Sequence, residues 1–168
     1  NLAPHLRHEK YTRDILTNLD IIFEEAKRLT TLVSDVLDLA KMEAGKMTYQ
    51  METHDLWTVI HEAAEIMRPQ AKAKGLKFRL SHSPTTPILV SFDKDRIKQV
   101  LLNLFSNALK FTDQGEITCR ISLSADHVQV DIIDTGVGLA PEDQSKIFEK
   151  FIQVGDTLTD RPKGTGLG

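Results

Sequence analysis

The sequence predicts an α+β protein: one long helix, then an α/β sandwich in which a mixed sheet is covered by helices on one face. Three observations predict it. A heptad row of apolar residues runs through the first 44 positions, two capped helical stripes follow, and two runs of apolar alternation come after the second stripe. With 168 residues, the chain is long enough for one ordinary domain with a core, plus an appendage.

The heptad row is the clearest pattern. Ile15, Leu19, Ile22, Ala26, Leu29, Val33, Val36 and Ala40 are spaced 4, 3, 4, 3, 4, 3, 4, an a/d seam. No Pro or Gly interrupts it between residue 8 and Gly45, which reads as the C-terminal stop. Leu16, Phe23 and Leu37 widen the face beyond a two-stranded seam. A helix over 8–44 rises ~1.5 Å per residue and reaches ~55 Å. It cannot bury its own stripe, which points to a homodimer through residues 8–44, in a four-helix arrangement, with packing on its own domain as the alternative.

The remainder alternates between α and β signals. "KMTYQMET" alternates Met47, Tyr49 and Met51 and reads as a short strand. Asp55 caps a helix with an inward stripe of Leu56, Val59, Ile60, Ala63 and Met67, ended by Gly75, with a kink expected at Pro69. "LKFRLS" and "PILVSF" read as strands. Asp93 caps a second helix, with Ile97, Val100, Leu101, Leu104 and Ala108 expected to face inward. Ile117, Cys119, Ile121 and Leu123 alternate, as do Val128, Val130 and Ile132, and a turn at Ala125–Asp126 makes them a hairpin. The domain boundary falls at 45/46.

Composition excludes several classes. A net charge of −3 gives no bulk attraction to nucleic acid or an anionic membrane. One cysteine, Cys119, excludes an internal disulfide framework and a Cys-rich zinc site; it reads as a buried, inert thiol and fits a reducing cytoplasm. No apolar run approaches the ~20 residues that span a bilayer. His5, His8, His54, His61, His82 and His127 show no metal spacing.

Four features carry chemistry. Asn103, Asn107 and Lys110 are spaced four and three apart, hence on one helical face. An Asn amide oxygen is a hard ligand suited to Mg²⁺, and a Lys one turn on can meet phosphate as a point charge. Asp134-Thr135-Gly136-Val137-Gly138 follows a strand. Its carboxylate can accept from an exocyclic amine, and its glycines allow close backbone approach, although D-T-G is also ordinary turn chemistry. Phe148 and Phe151 in "IFEKF" can anchor the loop that follows, or simply fill a core. In "RPKGTGLG", Gly164, Gly166 and Gly168 can offer backbone N–H groups to phosphates beside Arg161 and Lys163.

In this order the motifs resemble the ATP-binding region of bacterial two-component sensor histidine kinases. "QVLLNLFSNALKFT" is similar to that family's N box, "DTGVGL" to its G1 box, "IFEKF" to its F box and "GTGLG" to its G2 box. "EEAKRLTTLVSDVLDLAKMEAGKM" resembles the second helix of the dimerisation and histidine-phosphotransfer domain. The resemblance implies a Bergerat-type ATP-binding fold over 46–168, and a dimerisation helix over 1–45. It implies ATP and Mg²⁺ as cofactors, with Asn107 on the metal and Asn103 and Lys110 on metal-bound water or phosphate. Asp134 would meet the adenine amine, with Gly136 and Gly138 beneath the base. Phe111, where many relatives carry Tyr, would keep a stacking role. Residues 152–163 would form a lid, with Arg161, Lys163, Gly164, Thr165, Gly166, Leu167 and Gly168 near the phosphates. The partner implied is a response regulator receiver domain, with phosphoryl transfer to its Asp.

The sequence departs from the family at both ends. No His has the family's H-box context, and "PHLRH" sits where the loop between the two dimerisation helices belongs, so the phosphoacceptor is expected outside the chain. The G2 box would continue into a helix and two strands. The expectation is therefore a kinase piece that is not competent alone, from a protein that is cytoplasmic or membrane-anchored. A degenerate kinase serving as a nucleotide-binding dimerisation module is the alternative. Related ATPases of the gyrase or chaperone kind use a Glu where Asn103 stands, and an amide cannot activate water as that base does.

Overall fold

The computed structural model of the chain describes residues 4–81 and 86–148, with side chains for residues 11, 14–81 and 86–147. These fall into two units, one extending through Thr48 and one beginning at Tyr49.

The first unit contains helix α1, Pro4–Glu43. It begins at Pro4 rather than near residue 8, so "PHLRH" is helical from its proline onward. Proline suits the first helical position, where its missing N–H leaves no bond unmade. The helix ends as expected: Gly45 adopts φ 63°, and the Lys46 N–H donates to the Lys41 carbonyl at 2.9 Å. This Schellman closure needs a residue tolerant of positive φ. Ile15, Leu19, Ile22, Leu29, Val33 and Val36 are all exposed along the helix. Among the described residues no helix is long and apolar enough to cross a membrane.

The second unit is mixed α and β. Strand β1 (Glu52–Asp55) leads into helix α2 (Leu56–Ala73), strand β2 (Lys77–Leu80), strand β3 (Leu89–Phe92) and helix α3 (Lys94–Phe111). Strands β4 (Glu116–Leu123) and β5 (Val128–Asp134) follow, then single 3-10 turns at Pro141–Asp143 and Lys146–Phe148. The mixed sheet has order β2-β4-β5, with β2 parallel and β5 antiparallel to β4. β1 and β3 form a separate antiparallel pair. The β4–β5 hairpin turns at Ala125–Asp126, with the Ser124 N–H on the His127 carbonyl at 2.9 Å.

Both helices of this unit start on an aspartate that also reaches a distant segment. Asp55 accepts from the Trp57 N–H at 3.3 Å and from the Ile88 N–H at 2.8 Å. Asp93 accepts from the Asp95 and Arg96 N–H groups, both at 3.1 Å, and from the Gln50 N–H at 2.9 Å. Hydrogen bonds to the ionised carboxylates lower both pKa values, from the Thr58 hydroxyl first and then these N–H groups at Asp55, and from the Gln50 N–H first at Asp93. Two expectations are corrected here. Residues 46–51 carry no strand: β1 starts at Glu52, opposite Phe92, and the Gln50 N–H goes to a side chain instead of a ladder. On α3, Val100 and Leu104 face outward, while Phe105 and Leu109 are buried with Leu101 and Ala108. Phe105 fills the space against Phe78, ring centroids 5.1 Å apart.

The stripe of α2 is buried as read, extended by Ala64 and Ala71, and the helix runs through Pro69. Glu62 of α2 joins α3 through Lys98 at 2.9 Å and Lys94 at 3.3 Å. One face of β4, carrying Ile117, Cys119 and Ile121, belongs to the core with α2 and α3. The other carries Glu116 and Arg120, paired with Arg79 at 3.3 Å and Asp131 at 3.0 Å. Such a division of faces is that of a sheet covered on one side. Burial pushes the Cys119 thiol up to about 11, with a smaller contribution from Asp131, which suits an inert core residue.

Candidate functional site

Helix α3 and the loop after β5 build the site. Leu101, Phe105, Ala108 and Leu109 turn one side of α3 into the core. The 3.6-residue period then leaves Asn103 and Asn107 exposed and Lys110 half-buried. The Lys110 ammonium lies 4.6 Å from the Phe111 ring centroid, a cation–π contact. Its position in the last turn also suits the negative end of the helix dipole.

Asp134 closes β5 with its carboxylate exposed. The Gly136 N–H donates to its Oδ1 at 2.8 Å, an Asx-type turn. That leaves Oδ2 as an acceptor for an external N–H. The Val137 N–H donates to the Phe111 carbonyl at 3.3 Å, which ties this loop to the end of α3. Gly136 is required by space: a Cβ there would collide with the Phe111 carbonyl oxygen and lie 2.8 Å from Asp134 Oδ1. Gly138 is required by conformation instead, with φ +70° and open space around it.

Thus two motifs far apart in the chain meet at the C-terminal end of α3. Asn103, Asn107, Lys110, Phe111, Asp134, Gly136 and Gly138 all lie among the described residues. Arg161, Lys163, Gly164, Thr165, Gly166, Leu167 and Gly168 lie outside them, as do Phe151, the stretch 152–163 and the Phe148 side chain. No group of three or more His, Cys, Asp or Glu side chains gathers as a metal site among the described residues. The neutral amides and exposed carboxylate nevertheless fit a nucleotide: an amine acceptor at one end, and hard oxygen donors with a cation at the other.

Thr135, which the sequence offers only as part of a D-T-G turn, and Gly115 and Lys74, which it does not single out, are structural parts of the site. The Lys74 ammonium donates to the Leu109 carbonyl at 2.7 Å and the Thr112 carbonyl at 3.3 Å, closing the end of α3. The Thr135 hydroxyl accepts from the Glu116 N–H at 3.1 Å. Only a glycine paired with a polar residue in the facing loop hints at that contact.

The family described as histidine kinase-, DNA gyrase B-, and HSP90-like ATPase matches residues 92–168. The sensor histidine kinase GacS of Pseudomonas protegens is 34% identical over 168 residues, which is 97% of this chain and 18% of GacS. Full-length ShkA, solved in complex with AMPPNP, superposes with a TM-score of 0.75 at 31% identity, covering 90% of this chain and 31% of ShkA. Histidine kinase ThkA, solved with the response regulator protein TrrA, superposes with a TM-score of 0.65 at 27% identity, covering 81% of this chain and 40% of ThkA. The chain spans well under two thirds of each. With the N-box and G1-box residues joined at the end of α3, it is residues 92–168 that match the histidine kinase-, DNA gyrase B- and HSP90-like ATPases.

Proposed function

We propose that the chain is the nucleotide-binding part of a sensor histidine kinase, which binds Mg-ATP for autophosphorylation of a histidine and phosphotransfer to a response regulator aspartate. The observation that carries it is the Val137–Phe111 bond, which sets the Asp134 carboxylate beside the last turn of α3. The likenesses to GacS, and to ThkA with its regulator TrrA, support the kinase and partner reading. ATP supplies the phosphoryl group. Asp134 Oδ2 accepts the adenine amine, and Gly136 and Gly138 let the backbone lie under the base. Phe111 stacks near the nucleotide. Asn107 coordinates Mg²⁺, while Asn103 and Lys110 meet metal-bound water or phosphate. Arg161, Lys163 and residues 164–168 hold the remaining phosphate oxygens. Catalysis of this kind is mostly positioning and charge stabilisation. We assign residues 1–45 to the second dimerisation helix and 46–168 to the ATP-binding domain.

Calorimetric titration of the intact native protein tests this. Losing a charge-assisted hydrogen bond of about 1.5–3 kcal/mol, Asp134→Asn weakens ATP roughly tenfold to a hundredfold. Asn107→Asp changes the dependence of that binding on Mg²⁺. Wild-type titrations for both variants would overturn the assignment.

A further inference from the structure

The strand pair under Asp134 does not end as a ladder ordinarily ends. The last paired residues are Ile117 and Asp134. Beyond them the Thr135 N–H still donates to the Glu116 carbonyl at 3.2 Å. The return bond is made by a side chain: the Glu116 N–H donates to Thr135 Oγ1 at 3.1 Å. The same hydroxyl has its proton for the Gln114 carbonyl at 3.2 Å, with the Glu116 carbonyl more distant at 3.4 Å. One hydroxyl therefore acts as acceptor and donor on the turn between α3 and β4.

Gly115 makes room for it. Its φ is +110°, and a Cβ there would run into Thr135 Oγ1 and lie 3.3 Å from Thr135 Cβ. The turn is itself anchored, since the Lys77 N–H of β2 donates to the Gly115 carbonyl at 3.0 Å. Thr135 is thus pinned to a fixed turn. Its two neighbours are Asp134 and Gly136, which share the 2.8 Å bond that orients the carboxylate.

We propose that Thr135, seated against Gly115, is a positioning residue for base recognition: it holds Asp134 in its amine-accepting orientation before any nucleotide arrives. This rests on the reading that Asp134 meets the adenine amine. The physical argument is preorganisation. A carboxylate on a loose strand end spends part of its binding energy on being ordered, whereas one on a pinned end does not. Valine matches threonine in shape but can neither accept from Glu116 nor donate to Gln114. Serine can do both.

The test compares ATP with inosine triphosphate, which has a carbonyl where ATP has the exocyclic amine, on the intact native protein. Thr135→Val lowers ATP affinity about five- to tenfold, the effect of one or two lost hydrogen bonds. Inosine triphosphate affinity changes less, so discrimination narrows, and Thr135→Ser restores it. If Thr135→Val weakens both nucleotides equally, or neither, Thr135 is structural only and the proposal is overturned. Should Thr135→Val fail to fold, Thr135→Ala, which removes the same hydroxyl without a branched side chain, carries the same comparison with the same two outcomes. Asp134→Asn, measured in parallel, separates the layers. Unchanged discrimination in Asp134→Asn overturns the adenine reading itself, while lost discrimination there with full discrimination in Thr135→Val overturns only the lock. A native protein that does not distinguish the two nucleotides overturns both.

Discussion

Asp55 accepts the backbone N–H of Ile88 at 2.8 Å, across 33 residues of sequence, while also capping α2. One carboxylate therefore joins a helix start to the segment entering β3. Bonds from the Thr58 hydroxyl, first, and from backbone N–H groups hold its pKa below the ordinary 3.8. The unfolded chain then binds the proton more readily than the folded one. Asp55 contributes its full stability above the unfolded value and loses it as pH falls through the lower folded value. Asp55→Ala costs about 1–2 kcal/mol at neutral pH, by loss of the cap and of the Ile88 partner. Urea unfolding between pH 2 and pH 7 checks it: the variant's acid slope is shallower than the native one.

The two glycines of the Asp134 loop fail differently. Gly138→Ala meets open space and bears only the cost of φ +70°, roughly 1–2 kcal/mol. Gly136→Ala drives a methyl group into the Phe111 carbonyl, so the loop must leave α3. Nucleotide affinity falls at least tenfold in Gly136→Ala and by less in Gly138→Ala, in proportion to this displacement. Calorimetry with the two variants side by side gives the order, and the reverse order refutes it.

Lys74→Met removes the ammonium from the Leu109 and Thr112 carbonyls while keeping the alkyl stem. A cation at a helix C-terminus is worth about 0.3–1 kcal/mol, and global stability falls by that amount. The larger effect is local. Amide hydrogen exchange quickens in the last turn of α3, where Asn107 and Lys110 stand, and stays at native rates in α2's first turn.

The apolar row of α1 predicts self-association. Ile15, Leu19, Ile22, Leu29, Val33 and Val36 are exposed along the helix, and each aliphatic side chain covered is worth ~1.5–3 kcal/mol. Val33→Glu places a charge in the middle of that row and shifts the protein towards monomer. Light scattering at tens of micromolar measures the shift. A monomeric mass for the native protein counts against the seam.

What the sequence by itself determined is local. The a/d spacing of α1, the closing Gly45, the caps Asp55 and Asp93, and the alternation of Ile117, Cys119 and Ile121 specify their elements through neighbours a few residues away. The Asn103–Asn107–Lys110 face was legible for the same reason, since a helix brings i, i+4 and i+7 together wherever it lies. Tertiary structure decided which part of an apolar arc turns inward. On α3, residues 97, 100, 101, 104, 105, 108 and 109 are all apolar, and periodicity alone does not choose between Leu104 and Phe105. Packing against Phe78 does. It also decided where β1 begins, because a strand exists only against a partner, and Phe92 pairs with Glu52. The meeting of Asp134 with the end of α3 and the seating of Thr135 on Gly115 each depend on one backbone approaching another across about twenty residues or more. No window of sequence contains both partners, so those contacts become visible only when the chain is folded.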